Sequence, residues 1–112
     1  MKESPDLDEV KGRLDSLAWE LLEARFPNVD VEIYYKQAEA YVDEFMRRDK
    51  RYRRNVESEN PLKTLISLTM DKVASAYVLI SRNTDEEMVG RLLKDFEIMV
   101  GDYLESVGLL IY

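Results

Sequence analysis

Apolar residues along this chain recur at spacings of three and four, and the recurrence stops at three short polar breaks: Pro27-Asn28, Ser58-Glu59-Asn60-Pro61 and Arg82-Asn83-Thr84. A 3.6-residue period marks an amphipathic helix, and short connections between such helices favour antiparallel neighbours. The pattern therefore predicts an all-α fold: an antiparallel up-down-up-down four-helix bundle over residues 1–112, with helices at about 5–26, 31–55, 61–81 and 85–107 and a short apolar C-terminal tail.

The first helix is expected to open on Ser4 as cap and Pro5 as first helical residue. Leu7, Val10, Leu14, Leu17, Leu21 and Ala24 then form its seam. Asp30 is the expected cap of the second helix, whose inward stripe reads Val31, Tyr34, Ala38, Tyr41, Val42, Phe45 and Tyr52, with Tyr35 and Met46 on its flank. Asn60-Pro61 is a cap-plus-proline start for the third helix, the least charged and so the most buried. A capping box, Thr84-Asp85-Glu86-Glu87, opens the fourth, which carries Met88, Val89, Leu92, Phe96, Met99, Val100, Tyr103 and Val107 on one face and ends at Gly108. Leu14, Leu17, Leu21, Phe45, Ile66, Val73, Phe96 and Tyr103 should be among the most buried side chains.

Composition narrows the chemistry. Histidine and cysteine are both absent, which excludes a thiol nucleophile, an imidazole base, a Ser-His-Asp triad and the usual zinc ligands. The single glutamine beside abundant Glu, Lys and Arg is a balance seen in proteins from hot environments. No apolar run approaches the roughly 20 residues that cross a bilayer, and the first residues lack the apolar stretch of a signal peptide, so a cytoplasmic protein without membrane partners is expected.

The net charge is −7, but it is unevenly spread. Residues 1–46 hold twelve acids and five bases, residues 47–55 hold six bases and one acid, and residues 84–112 hold seven acids and two bases. The basic block is thus the sharpest local anomaly. On a continuous helix Arg47, Lys50, Arg51 and Arg54 fall at i, i+3, i+4 and i+7, one stripe beside Tyr52. Such a stripe can grip phosphates while the ring stacks on a base. The same cations also complement a helix C-terminus, and in the expected bundle they lie near the acids at the start of helix one and the end of helix four.

Paired acids at Glu20 and Glu23 and at Glu39 and Asp43 raise a metal site. Helical nucleotide pyrophosphohydrolases hold magnesium with E-E-x-x-E on one helix and E-x-x-D on the next; here the doubled first acid is missing and the second pair is spaced by four. A solvated acidic face accounts for them. Trp19 lies outside the narrow seam of helix one and is either core or contact surface. The tail Leu109, Leu110, Ile111 and Tyr112 is apolar where a chain end is normally polar, so it folds over its own bundle or enters a partner.

The sequence therefore points to a non-enzymatic helical interaction or assembly protein that self-associates as a homodimer, or binds another protein, through Trp19 and the tail. It needs no catalytic, cofactor or metal residues. The alternative is a nucleic-acid-associated accessory protein using the 47–54 stripe.

Overall fold

The computed structural model describes residues 6–109, and five helices hold them: α1 Leu7–Arg25, α2 Val31–Arg48, α3 Lys50–Val56, α4 Pro61–Ser81 and α5 Glu86–Ser106. No strand occurs among these residues. The helices pack into one globule in which α4 touches all the others, α1 touches α2 and α5, and α2 and α5 do not meet. A cross-section is thus a rhombus with α1 and α4 on its short diagonal.

Local signals set most helix ends. Asp6 caps α1 by accepting from the backbone N–H groups of Asp8 and Glu9, at 3.0 and 3.3 Å. The expected cap Ser4 and first residue Pro5 lie outside the described residues. Asn60 caps α4 through Leu62 N–H with Pro61 in the first turn, as read. Asp85, not the expected Thr84, caps α5 by accepting from Glu87 N–H at 2.9 Å. Asp30 occupies the cap position of α2 but makes no capping bond.

Beyond α5, Gly108 adopts φ +74°, with its N–H on the Glu105 carbonyl at 3.1 Å and Leu109 N–H on the Leu104 carbonyl at 2.7 Å. This pair of bonds is a Schellman turn, and glycine enters the left-handed region without a Cβ penalty.

The second expected helix is two helices. Asp49 is extended, at φ −106° and ψ 101°, and its carboxylate accepts from Tyr52 N–H at 3.0 Å. One acid inside a basic run thus ends α2 and caps α3. In a straight helix residues seven apart are displaced by roughly 10 Å, yet the Phe45 and Tyr52 rings lie 5.6 Å apart because the chain bends between them.

The core is continuous and built on the middle of the expected seam of α1: Val10, Leu14, Leu17 and Leu21 are buried, joined by Ala18 and Leu22, whereas the seam's ends, Leu7 and Ala24, are exposed. Val73 and Phe96 are also buried as read, while Ile66 and Tyr103 are half-buried. The stripe of α2 is rotated from the reading. Val31, Tyr35, Ala38 and Val42 face inward, whereas Phe45 is 53% and Tyr41 54% exposed. Met88 and Val107, expected inside on α5, are exposed as well.

From Thr64 to Ser81 no residue of α4 is fully exposed, which bears out its central place. It is also the helix, among the described residues, long and apolar enough to cross a membrane. The sequence reading found no such run because Lys63, Asp71 and Lys72 interrupt it.

The rotation of α2 is testable by truncation. Phe96→Ala should cost about 3–5 kcal/mol, the range for a fully buried ring. Phe45→Ala should cost about 1 kcal/mol, the scale of its one aromatic contact. Equilibrium unfolding in urea measures both, and equal large losses would put Phe45 back in the core.

Candidate functional site

The bend at Asp49 divides the basic block. Arg47 and Arg48 close the end of α2, and both form ion pairs with Glu44. Lys50, Arg51 and Arg54 are exposed on α3. The regular stripe of four cations is therefore absent, since Arg47 belongs to a different helix from the other three. Tyr52 is engaged internally: its ring tilts against Phe45 and its hydroxyl donates to Asp71 Oδ2 at 2.6 Å.

α3 touches α2 and α4 alone, so the block meets neither the acids of α1 nor those of α5 that were expected to neutralise it. Glu44, Asp49, Phe45, Arg48, Lys50 and Arg51 surround an open depression of about 700 Å³ at the bend.

A second polar cluster lies inside the globule. Lys72 is only 4% exposed. Its ammonium donates to Glu39 Oε2 on α2 at 3.3 Å and stands 3.8 Å from Asp15 Oδ1 on α1. Asp15 also accepts from the Tyr35 hydroxyl at 2.6 Å and meets Lys11 at 3.4 Å. A buried ammonium without partners costs several kcal/mol, and here two carboxylates from two helices supply them. Burial and the adjoining Asp15 carboxylate raise the Tyr35 pKa well above its ordinary value. Burial and the bond to Asp71 raise that of Tyr52.

The third feature is apolar. Between α4 and α5 a cleft of about 490 Å³ is lined by Ile66, Met70, Val100, Leu104 and Leu109, with Lys63 and Glu97 among the polar residues around it. Ser67 and Gly101 leave it open, and a Cβ built at Gly101 meets nothing within 4 Å. On the α2 side of α4, Ala74, Ser75, Val78 and Leu79 form with Tyr41 a shallower groove of about 330 Å³.

The residues singled out in the sequence are dispersed among these features. Trp19 is half-buried against the core of its own chain, and Leu109 lines the α4–α5 cleft. Leu110, Ile111 and Tyr112 lie outside the described residues. Glu20, Glu23 and Asp43 are exposed, Glu39 is taken by Lys72, and no group of three or more acids able to hold a metal occurs among the described residues.

Sequence reasoning missed the Lys72 cluster and the Tyr41 groove. A lysine in the middle of the most apolar helix was the available signal for the first.

The two tyrosines give a pH dependence of definite sign. Phenols in the unfolded chain ionise near pH 10, while the raised values keep Tyr35 and Tyr52 protonated in the fold beyond that point. Above about pH 10 the unfolded state has released protons that the folded state retains, so stability is whole below that pH and falls as pH rises through it. Thermal midpoints from pH 8 to 11 should show the fall, and Tyr35→Phe should make it shallower. An unchanged slope would mean that Tyr35 ionises as freely in the fold as outside it.

Compared with known proteins, the chain matches no family model, and no curated protein or solved structure is significantly similar to it.

Proposed function

We propose that this chain is a non-enzymatic helical interaction protein that self-associates as a homodimer through the outer face of α4. The observation that carries the reading is the groove of Ala74, Ser75, Val78 and Leu79 beside a Tyr41 ring that is 54% exposed. Small residues let a second backbone approach closely, and tyrosine combines apolar area with a hydroxyl that tolerates the wet edge of an interface. A two-fold dimer would place this patch against its own copy, the commonest arrangement of soluble homo-oligomers. Short connections at residues 26–30, 57–60 and 82–85 support an up-down-up-down path for the four long helices.

A second reading rests on the bend at Asp49, where a half-exposed Phe45 shares a depression with Arg48, Lys50 and Arg51. A ring among cations suits single-stranded nucleic acid. Glu44 and Asp49 in the same depression oppose it, as does the engagement of Arg48 with Glu44.

Light scattering over a dilution series tests the first reading. The intact chain should be dimeric and dissociate on dilution, and Ala74→Glu should weaken the dimer at least tenfold, about 1.4 kcal/mol, while keeping the helical circular dichroism of the folded chain. A monomer at every concentration would defeat the proposal; a dimer indifferent to Ala74→Glu would move the interface elsewhere.

Fluorescence anisotropy with a mixed-sequence oligonucleotide tests the second. The expected result is no binding even at about 20–50 mM salt, where surface attraction is least screened. Binding that collapses as salt rises, and that Lys50→Gln with Arg51→Gln removes, would establish it instead.

A further inference from the structure

We infer that a second copy docks antiparallel along α2 about a two-fold axis at Tyr41, with Asp30 of each chain against Lys50 and Arg51 of the other. The inference rests on the self-association reading and adds what that reading leaves open: the part of the second copy that meets the Tyr41 groove, and its direction.

Spacing along α2 supplies the first argument. Asp30, Tyr34, Gln37, Tyr41, Phe45 and Arg48 follow one another at steps of four, three, four, four and three, which sets them on one side of a helix. That side faces outward: Tyr41 and Phe45 are 54% and 53% exposed, Gln37 and Arg48 are exposed, and Tyr34 is half-buried. The groove of Ala74, Ser75, Val78 and Leu79 opens beside the middle of the line. The line is thus acidic at its start, aromatic through its centre and basic at its end, where Lys50 and Arg51 share a depression with Phe45 and Arg48.

That order is self-complementary under a two-fold rotation. An axis through Tyr41 brings each position opposite the one equally far on the other side of it. Tyr34 then meets Arg48, a ring against a guanidinium. Gln37 meets Phe45, and Asp30 meets the bend just past Arg48, where Lys50 and Arg51 stand. Parallel docking instead sets Asp30 on Asp30 and Arg48 on Arg48, and like charges facing each other select against it. The end charges are also uncommitted. Glu32 takes Lys36 and Arg48 takes Glu44, but Asp30 makes no capping bond, and neither it nor Lys50 nor Arg51 forms an ion pair among the described residues. Exposed pairs contribute little affinity. The aromatic centre supplies that, and the charges set direction.

Charge reversal tests the direction with a readout that chain stability cannot mimic. Asp30→Lys and the double variant Lys50→Glu with Arg51→Glu are each made in the full chain, with circular dichroism to confirm folding. Alone, each variant sets like charges together at both ends of its dimer, and light scattering over a dilution series should show the dissociation constant raised about tenfold or more. Mixed in equal amounts, they should form a heterodimer of near-native affinity, because one end keeps its native pair and the other carries it reversed. An unaltered chain that is monomeric at every concentration would end the self-association reading and this inference together. A dimer that Ala74→Glu weakens and neither reversal affects, or reversals that mixing does not rescue, would overturn the docking direction alone.

The chain has no native cysteine, so crosslinking is an independent measurement. Tyr34→Cys and Arg48→Cys chains, mixed and treated with a short bismaleimide, should yield a covalent dimer, and either variant alone should yield little. In the antiparallel pair position 34 faces position 48 of the copy and stands fourteen helical residues, roughly 21 Å, from the copy's own position 34. A covalent dimer from Tyr34→Cys alone would mean parallel docking and would overturn the inference.

Discussion

Lys72 must find carboxylates inside the globule, and that requirement governs which faces of its neighbours turn inward. Its ammonium sits at 4% exposure between Glu39 of α2 and Asp15 of α1. Such a cluster adds little net stability, because desolvating the charges offsets much of their attraction. Breaking it is expensive, because the remaining charge cannot be hydrated. The cluster therefore acts on register more than on stability: the rotation of α2 must bring Glu39 to Lys72 and the Tyr35 hydroxyl to Asp15 together.

The positions of the aromatic residues follow from that rotation. α2 carries Tyr34, Tyr35, Tyr41 and Phe45 around much of its circumference, so apolar area alone does not choose a face. With Tyr35 inward, Val31, Ala38 and Val42 share its side, and Tyr41 and Phe45 are left towards solvent. Phe45 recovers part of the loss through Tyr52, which the bend at Asp49 brings back beside it. Tyr52 in turn reaches Asp71, and so the one acid of α4 is satisfied by the short helix.

This division explains what was legible in the chain beforehand. Signals that act within a few residues were readable: the seam of α1, the Asn60-Pro61 start, and the glycine turn at 108. The face of α2 was not, because partners 20 and 33 residues away in sequence decide it: Asp15 for Tyr35, which reads as a flank residue, and Lys72 for Glu39. The break at Asp49 was readable in principle. Asp is a strong cap residue, but inside a run of six bases the same carboxylate also serves as a counter-charge. The candidate site suffered most, since a four-cation stripe presupposed one straight helix, and the apolar grooves depend on which helices fail to meet.

That failure is the structural origin of the exposed apolar surface. α2 and α5 flank the α1–α4 pair without touching each other, so the side of α4 turned from α1 has no helix laid along it. α3 meets α4 at Asp71, but seven residues cover only roughly 10 Å of a helix about three times as long. Two apolar recesses remain on either side of that contact, the α5-side cleft at Ile66 and Met70 and the α2-side groove at Ala74 and Val78. The first has Leu109 of this chain in its wall. Among the described residues the second is walled by α2 and α4 alone, and a helix as apolar as α4 is more stable with that face covered. A partner at Tyr41 would supply the cover that a longer α3 would otherwise provide.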